Sequence, residues 1–128
     1  MPAKKTKKSA SRNTNPNFRG FLNIVLSDED KAIIKSTTYD LADFTADLDK
    51  WVDNGYKFTF SHDDYNHCFQ CIATPQDSDH VDYGIMMSGR GSTAIKSFKQ
   101  WVYIQTRLIG ESTWTENLKP VSTHEIDD

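Results

Sequence analysis

Apolar residues between about Thr38 and Asp53 recur at spacings of three and four. The positions are Leu41, Phe44, Leu48 and either Trp51 or Val52. This spacing places one apolar stripe along a helix, and Asn54-Gly55 ends it because glycine readily adopts the left-handed backbone after a last helical turn. Ahead of this helix, an apolar run at 21–26 predicts a short strand. Ser27 followed by Asp30 resembles a capping box, which predicts that a helix begins there.

From Tyr56 onward the apolar period changes to two. Tyr56, Phe58 and Phe60 alternate with polar residues, 63–66 has the composition of a turn, and 67–73 is again strand-like, so a hairpin is predicted. After a polar loop, 83–88 predicts a third strand that Gly89-Arg90-Gly91 ends. Ser92 is then expected to cap a final helix. Its apolar face comprises Ile95, Phe98, Trp101, Val102, Leu108 and Ile109.

These elements predict an α+β fold, a two-layer sandwich in the order β-α-β-β-β-α. Three to four strands form an antiparallel sheet with two main helices on one face. Residues 18–118 form the single domain, and Trp114 lies in an anchored loop or short strand. Residues 1–17 are polar and Lys-rich, which predicts a disordered basic arm, and 119–128 predict a disordered acidic tail.

The composition agrees with one folded domain, because 128 residues with 12% aromatics can bury a sizeable core. No run of about 18 apolar residues occurs, so the sequence predicts no transmembrane helix. The first residues lack the apolar stretch of a secretory signal, so an intracellular location is expected. In such a compartment Cys68 and Cys71 are expected to remain thiols.

The net charge of -3 conceals blocks of opposite sign. Residues 1–19 hold six cations and no acid, and 28–64 hold ten acids against four lysines. Residues 83–110 then hold four cations and no acid. A basic block of this kind favours a polyanion as partner, because phosphate neutralisation dominates affinity for nucleic acids. The alternative is an ordinary solvated helix face.

The segment 88–93, Ser-Gly-Arg-Gly-Ser-Thr, is the candidate phosphate site. Two glycines and a helix N-terminus can direct N–H groups at one anion, although a tight turn with a structural cap explains the same residues. On the helix behind it, basic and aromatic residues recur at three, four and four, which places them on one face. The phosphate-binding candidates are Arg90, Ser92, Lys96, Lys99, Arg107 and Lys57, with Lys4, Lys5, Lys7, Lys8 and Arg12 of the basic arm in addition.

Exposed aromatic residues would supply the second half of such a site, because bases stack on aromatic rings. The stacking candidates are Tyr65, Phe58, Phe60 and Tyr103. Phe58 and Phe60 are equally good core candidates, because the helices need an apolar sheet face to pack on. Tyr65, in a turn with two aspartates, is the residue most expected to be exposed.

No residue pattern indicates catalysis or a cofactor. Cys68 and Cys71 with nearby histidines resemble a zinc-ligand spacing, but residues three apart in a strand point to opposite faces. Neighbouring carboxylates at Asp63 and Asp64 lack the second acidic pair of a metal-dependent nuclease. The sequence therefore predicts a protein that is not an enzyme and holds no metal.

The segment 83–101, from Tyr-Gly-Ile-Met-Met-Ser-Gly-Arg-Gly-Ser-Thr to Trp101, resembles a group of small bacteriophage and environmental-virus proteins. The resemblance covers about 21–114. It implies a viral protein that acts in the cytoplasm of an infected bacterium, in DNA metabolism. The order from Thr38 onward is also similar to double-stranded RNA-binding domains, in which lysines early in the second helix bridge the groove, as Lys96 and Lys99 would. The basic arm and acidic tail are similar in style to single-strand DNA-binding proteins.

The leading hypothesis is a non-catalytic, sequence-tolerant binder of single-stranded DNA in replication or recombination, whose acidic tail contacts replication proteins. The alternative is an interaction module or host-protein inhibitor that uses the acidic helix at 40–53, and a weaker alternative is double-stranded RNA binding. A homodimer through an exposed sheet edge is a further expectation.

Overall fold

The structure, a computed structural model, describes residues 18–118, so the predictions made for the basic arm and the acidic tail lie outside the described residues. Its elements are β1 Gly20–Leu22, α1 Asp28–Ser36, α2 Leu41–Asp53, β2 Tyr56–Asp63, β3 Cys68–Pro75, β4 Ile85–Gly91, α3 Ala94–Tyr103, a π-helical segment Ile104–Ile109 that continues α3, and α4 Trp114–Asn117. The predicted α+β class is confirmed. Across residues 18–118, no helix is long and apolar enough to cross a membrane.

The four strands form one open sheet in the order β1-β4-β3-β2. The predicted hairpin is confirmed, since β2 and β3 pair antiparallel from Tyr56 opposite Pro75 to Asp63 opposite Cys68. β4 pairs antiparallel with β3, but β1 pairs parallel with β4 through Gly20 opposite Ile85. The sheet is therefore mixed, and the prediction of a purely antiparallel sheet was wrong. The chain passes through α1, α2 and the hairpin between β1 and β4, so no short turn forces these two strands to run in opposite directions.

Helices cover one face of the sheet, as predicted, and aromatic rings fill the layer between them. Phe98 and Trp101 of α3 are fully buried. The ring of Phe98 lies 5.0 Å from that of Phe58 and 5.3 Å from that of Phe44. Edge-to-face pairs of this kind add to the free energy of burial. The alternation predicted for β2 is thus correct, and its aromatic face is the core face.

The glycines of 88–92 lie in a strand and do not form an anion-binding turn, which corrects the prediction for this segment. β4 continues through Gly91, and the residue that caps α3 is Thr93, whose Oγ1 accepts from Lys96 N at 3.1 Å, while Ser92 is exposed. A Cβ at Gly89 would lie 2.7 Å from Trp101 N, and one at Gly91 2.7 Å from Ser97 N. The glycines are required because α3 packs directly on the backbone of β4.

Two further elements differ from the sequence predictions. The strand predicted at 21–26 is only β1, and Val25 is almost fully exposed. The capping box does start a helix, with Ser27 Oγ accepting from Asp30 N at 3.0 Å, but this helix, α1, ends at Ser36 and is separate from α2. Two helices, α1 and α2, therefore lie between β1 and β2, where the predicted order had one helix.

The chain after α3 is fixed by a buried carboxylate. Trp114 is buried, but it begins a short helix, so the prediction of an anchored loop or short strand was wrong. Asp82 accepts from Trp114 N at 3.1 Å, from Thr115 N at 3.0 Å and from Thr115 Oγ1 at 3.0 Å. A carboxylate at the N-terminus of a helix satisfies backbone donors that would otherwise be unpaired.

Candidate anion-binding cleft

Five cationic side chains from three elements line one cleft of about 210 Å³. We call it the basic cleft. Its cations are Lys31 and Lys35 of α1, Arg90 of β4, and Lys96 and Lys99 of α3; Leu26, Ile34, Gly91 and Gln100 complete the lining. No carboxylate is among these lining residues. The arrangement creates a concentrated positive potential in a concave site, where the protein walls focus the field.

The local structure of each element explains why these side chains meet. Lys31 and Lys35 are one helical turn apart on α1, so they project from the same side of that helix. Lys96 and Lys99 are three apart in α3 and likewise share a face. Arg90 is the penultimate residue of β4, whose end lies beside the first turns of α3 because its glycines let the helix approach.

A hydrogen bond joins α1 and α3, the two helices that contribute lysines to the basic cleft. Tyr103 Oη of α3 donates to Asp30 Oδ1 of α1 at 2.7 Å. This bond, with the capping bonds from Ser27, holds the pKa of Asp30 below its ordinary value, and the same bond raises the pKa of Tyr103. Asp30 thus has a structural role: it caps α1 and ties that helix to α3.

The cations of the cleft have no ionic partner among residues 18–118. The single pair within 4.0 Å in that part of the chain joins His62 and Asp64 in the hairpin turn. Partial burial, and then the neighbouring Lys96 cation, lower the pKa of Lys99, because both oppose its charged form. A negatively charged ligand in the cleft would relieve this repulsion.

Most polar side chains that line the basic cleft carry hydrogen-bond donors, and Leu26 and Ile34 add apolar surface. Gln100 Oε1 already accepts from Arg90 N at 2.8 Å, so the side-chain group that Gln100 has left to offer is its NH₂. Lysine and arginine side chains carry donors and no acceptor. A ligand that fits must therefore present acceptors, as phosphate oxygens do.

A second cleft, of about 160 Å³, continues from the first along α1 and α3. The two share Ile34 and Lys99, and the second is also lined by Tyr103 and Arg107. The Arg107 guanidinium lies 5.6 Å from the centre of the Tyr103 ring. We call this the side cleft, and its floor is more apolar because Val102 contributes to it.

The predicted phosphate-binding residues divide into two groups. Arg90, Lys96 and Lys99 come together in the basic cleft, and Arg107 joins them through the side cleft. Ser92 lines neither cleft. Lys57 lines a different cleft with Thr74 and Tyr83, at the far end of the hairpin strands. The structure therefore does not bring Ser92 and Lys57 into the candidate site.

Only two of the four predicted stacking residues have rings that lie outside the core. Phe58 and Phe60 face the helices and pack against the core, so their rings are not free to stack on bases, and their assignment as stacking residues is corrected. Tyr65 is 90% exposed at the hairpin turn. Tyr103 is half-buried beside the side cleft, with its hydroxyl bound to Asp30.

Sequence reasoning missed Lys31 and Lys35, two of the five cations. Both belong to a stretch that is acidic on average, and the average concealed them. The signal that could have found them is their i, i+4 spacing after a capping box, while the acids Asp28, Glu29 and Asp30 occupy the first turn.

The cysteines and histidines do not converge. Cys71 is fully buried, and burial raises the pKa of its thiol to about 12, which is far from a reactive thiolate. Cys68 lies three residues away on the same strand, on its opposite face. Within residues 18–118 no group of three His, Cys, Asp or Glu side chains is placed to hold a metal ion.

Comparisons of the chain with protein-family models, with curated proteins and with solved structures found no match.

Proposed function

We propose that this protein is a non-catalytic nucleic-acid-binding protein that holds the phosphates of single-stranded DNA in the basic cleft. The observation that carries the proposal is the convergence of Lys31, Lys35, Arg90, Lys96 and Lys99 on one cleft whose lining contains no acid. Replication or recombination in a phage-infected bacterium is the setting in which we place this activity.

Three features support a single strand as ligand. The cations come from two helices and the end of a strand and line one cleft of about 210 Å³, along which a single phosphodiester chain can lie. The side cleft extends the path toward Arg107 and offers the half-buried ring of Tyr103 beside it. The lining supplies donors to phosphates and no specific pattern for reading base edges, which agrees with sequence-tolerant binding.

The test is an affinity panel of single-stranded DNA, duplex DNA and duplex RNA, each measured by fluorescence anisotropy at two salt concentrations. We expect single-stranded DNA to bind most tightly, with affinity that falls steeply with salt, since each neutralised phosphate contributes about 0.7 to the logarithmic slope for single strands. The double variant Arg90→Ala, Lys96→Ala should weaken binding without unfolding the protein. Arg90 is exposed, and the hydrogen bond it makes to Gln100 uses its backbone N–H.

The matched control is the double variant Lys50→Ala, Lys57→Ala, which removes two cations that do not line the basic cleft. It should retain the affinity of the unmodified protein. Absence of binding to all three probes, or binding that does not depend on salt, would contradict the proposal. Preference for duplex RNA would instead favour the alternative of double-stranded RNA binding.

The alternative of protein docking through the acidic helix stays a prediction. Several carboxylates of that helix have partners inside the protein. Asp40 and Asp43 form the capping box of α2, and Asp47 accepts from Tyr39 Oη at 2.7 Å. Because these groups stabilise the fold, replacing them tests stability and docking together.

A further inference from the structure

Among residues 18–118, five of the nine lysines and arginines line one cleft instead of being spread along a track. These five line the basic cleft of about 210 Å³, whereas the side cleft of about 160 Å³ adds only Arg107. The cleft that holds Lys57 is larger, about 320 Å³, and Lys57 is its single Lys or Arg among the described residues. A surface that only follows a backbone would distribute its charges along the path of the strand.

Charge density decides which phosphate such a site favours. An internal phosphodiester carries one negative charge per nucleotide, whereas a terminal phosphate monoester carries about −1.5 to −2 at neutral pH and presents three acceptor oxygens. The gain from neutralising the mutual repulsion of Lys96 and Lys99 is larger for the more highly charged group. The polar side chains of the lining offer donors, since Gln100 Oε1 is already engaged, and this also suits a group with several acceptor oxygens.

We infer that the basic cleft is a receptor for a terminal phosphate, so that the protein binds the phosphorylated end of a single strand in preference to its interior. The inference rests on the proposed function and names its ligand more closely. The strand would continue from the basic cleft into the side cleft, where Tyr103 and Arg107 lie. A free nucleotide offers the same chemistry as a strand end, so the experiment must separate the two sources.

The test uses short single-stranded DNA of one sequence in three forms, with a phosphate at the 5′ end, with a phosphate at the 3′ end, or with hydroxyls at both ends. Anisotropy is measured with an internal label at one salt concentration. We expect one phosphorylated form to bind at least about tenfold more tightly than the hydroxyl form, because charge-assisted hydrogen bonds to the terminal group are added. The double variant Lys31→Gln, Lys35→Gln should abolish this difference, and Lys57→Gln should preserve it.

The outcomes separate the two proposals. Equal affinity of all three forms, with steep salt dependence, would overturn the terminal-phosphate inference and leave single-strand binding intact. No binding of any form would overturn the proposed function itself. A nucleoside triphosphate is added as competitor in a further arm. If it binds as tightly as the phosphorylated strand does, it supports a terminal-phosphate site and contradicts a strand end as the natural ligand.

Discussion

Several acidic side chains of residues 18–118 differ from the five cations of the basic cleft in what they contact. Asp30, Asp40 and Asp43 cap helices, Asp63 accepts three hydrogen bonds in the hairpin turn, and Asp82 is buried under α4. In the basic cleft, by contrast, no cation has a carboxylate within 4.0 Å among residues 18–118. The contrast shows in the pKa values, since hydrogen bonds lower that of Asp63 while burial and Lys96 lower that of Lys99.

The difference shows that several acidic side chains stabilise the fold through hydrogen bonds. The position of the five cations in one cleft has no such structural explanation among residues 18–118. A capping aspartate satisfies backbone donors and stabilises the helix it begins. Cations that lie close together without partners repel one another and cost free energy. Binding of an anionic ligand is the role that we propose for the cations of the basic cleft.

The largest loss of stability is expected when Asp82 is replaced, because this buried acid accepts three hydrogen bonds. Asp82→Ala leaves Trp114 N and Thr115 N without their acceptor, whereas Thr115 Oγ1 keeps Val81 O at 3.1 Å, so the free energy of unfolding should fall by about 3 kcal/mol. Urea denaturation followed by tryptophan fluorescence measures it. Asp79→Ala, at an exposed position of the same loop, is the control and should be nearly neutral. Equal losses of stability in both variants would mean that a buried, hydrogen-bonded acid stabilises the fold no more than an exposed one.

The smallest effect on stability is expected in the basic cleft. Lys99→Gln removes a cation whose charged form the fold disfavours, so stability at neutral pH should stay the same or rise slightly. Because the pKa of Lys99 is lowered on folding, the unmodified protein should gain stability as pH rises through that lowered pKa toward the usual value near 10.5, and the variant should lack this gain. Thermal unfolding at several pH values provides the measurement. A loss of about 1 kcal/mol or more at neutral pH would mean that Lys99 is a structural residue.

Local patterns made much of the fold predictable. The stripe at Leu41, Phe44 and Leu48 and the alternation from Tyr56 to Phe60 identified α2 and the hairpin, because both signals come from the period of the element itself. The parallel pairing of β1 with β4 could not be foreseen, since a strand of three residues gives little pattern and its partner lies more than 60 residues away.

The candidate site was predictable only in part, for reasons that are visible in the structure. Lys96 and Lys99 were found because their helix contains no acid. Gly89 and Gly91 were interpreted as a ligand-binding turn, although they allow α3 to pack on β4, and the two uses of glycine look alike in sequence. Lys31 and Lys35 become part of the site only when α1 lies against α3, which is a tertiary contact.

Whether single-stranded DNA binds in the basic cleft is best tested by comparing the salt dependence of its binding between two double variants. Lys31→Gln, Lys35→Gln removes two cations from the basic cleft, while Lys50→Gln, Lys57→Gln removes the same charge from residues that do not line it. We expect the first pair to lower the magnitude of the logarithmic salt slope by about 1.4 and to weaken binding about tenfold or more, whereas the second pair should change neither. Equal effects of the two pairs would mean that overall charge attracts the ligand and would contradict a site in the basic cleft.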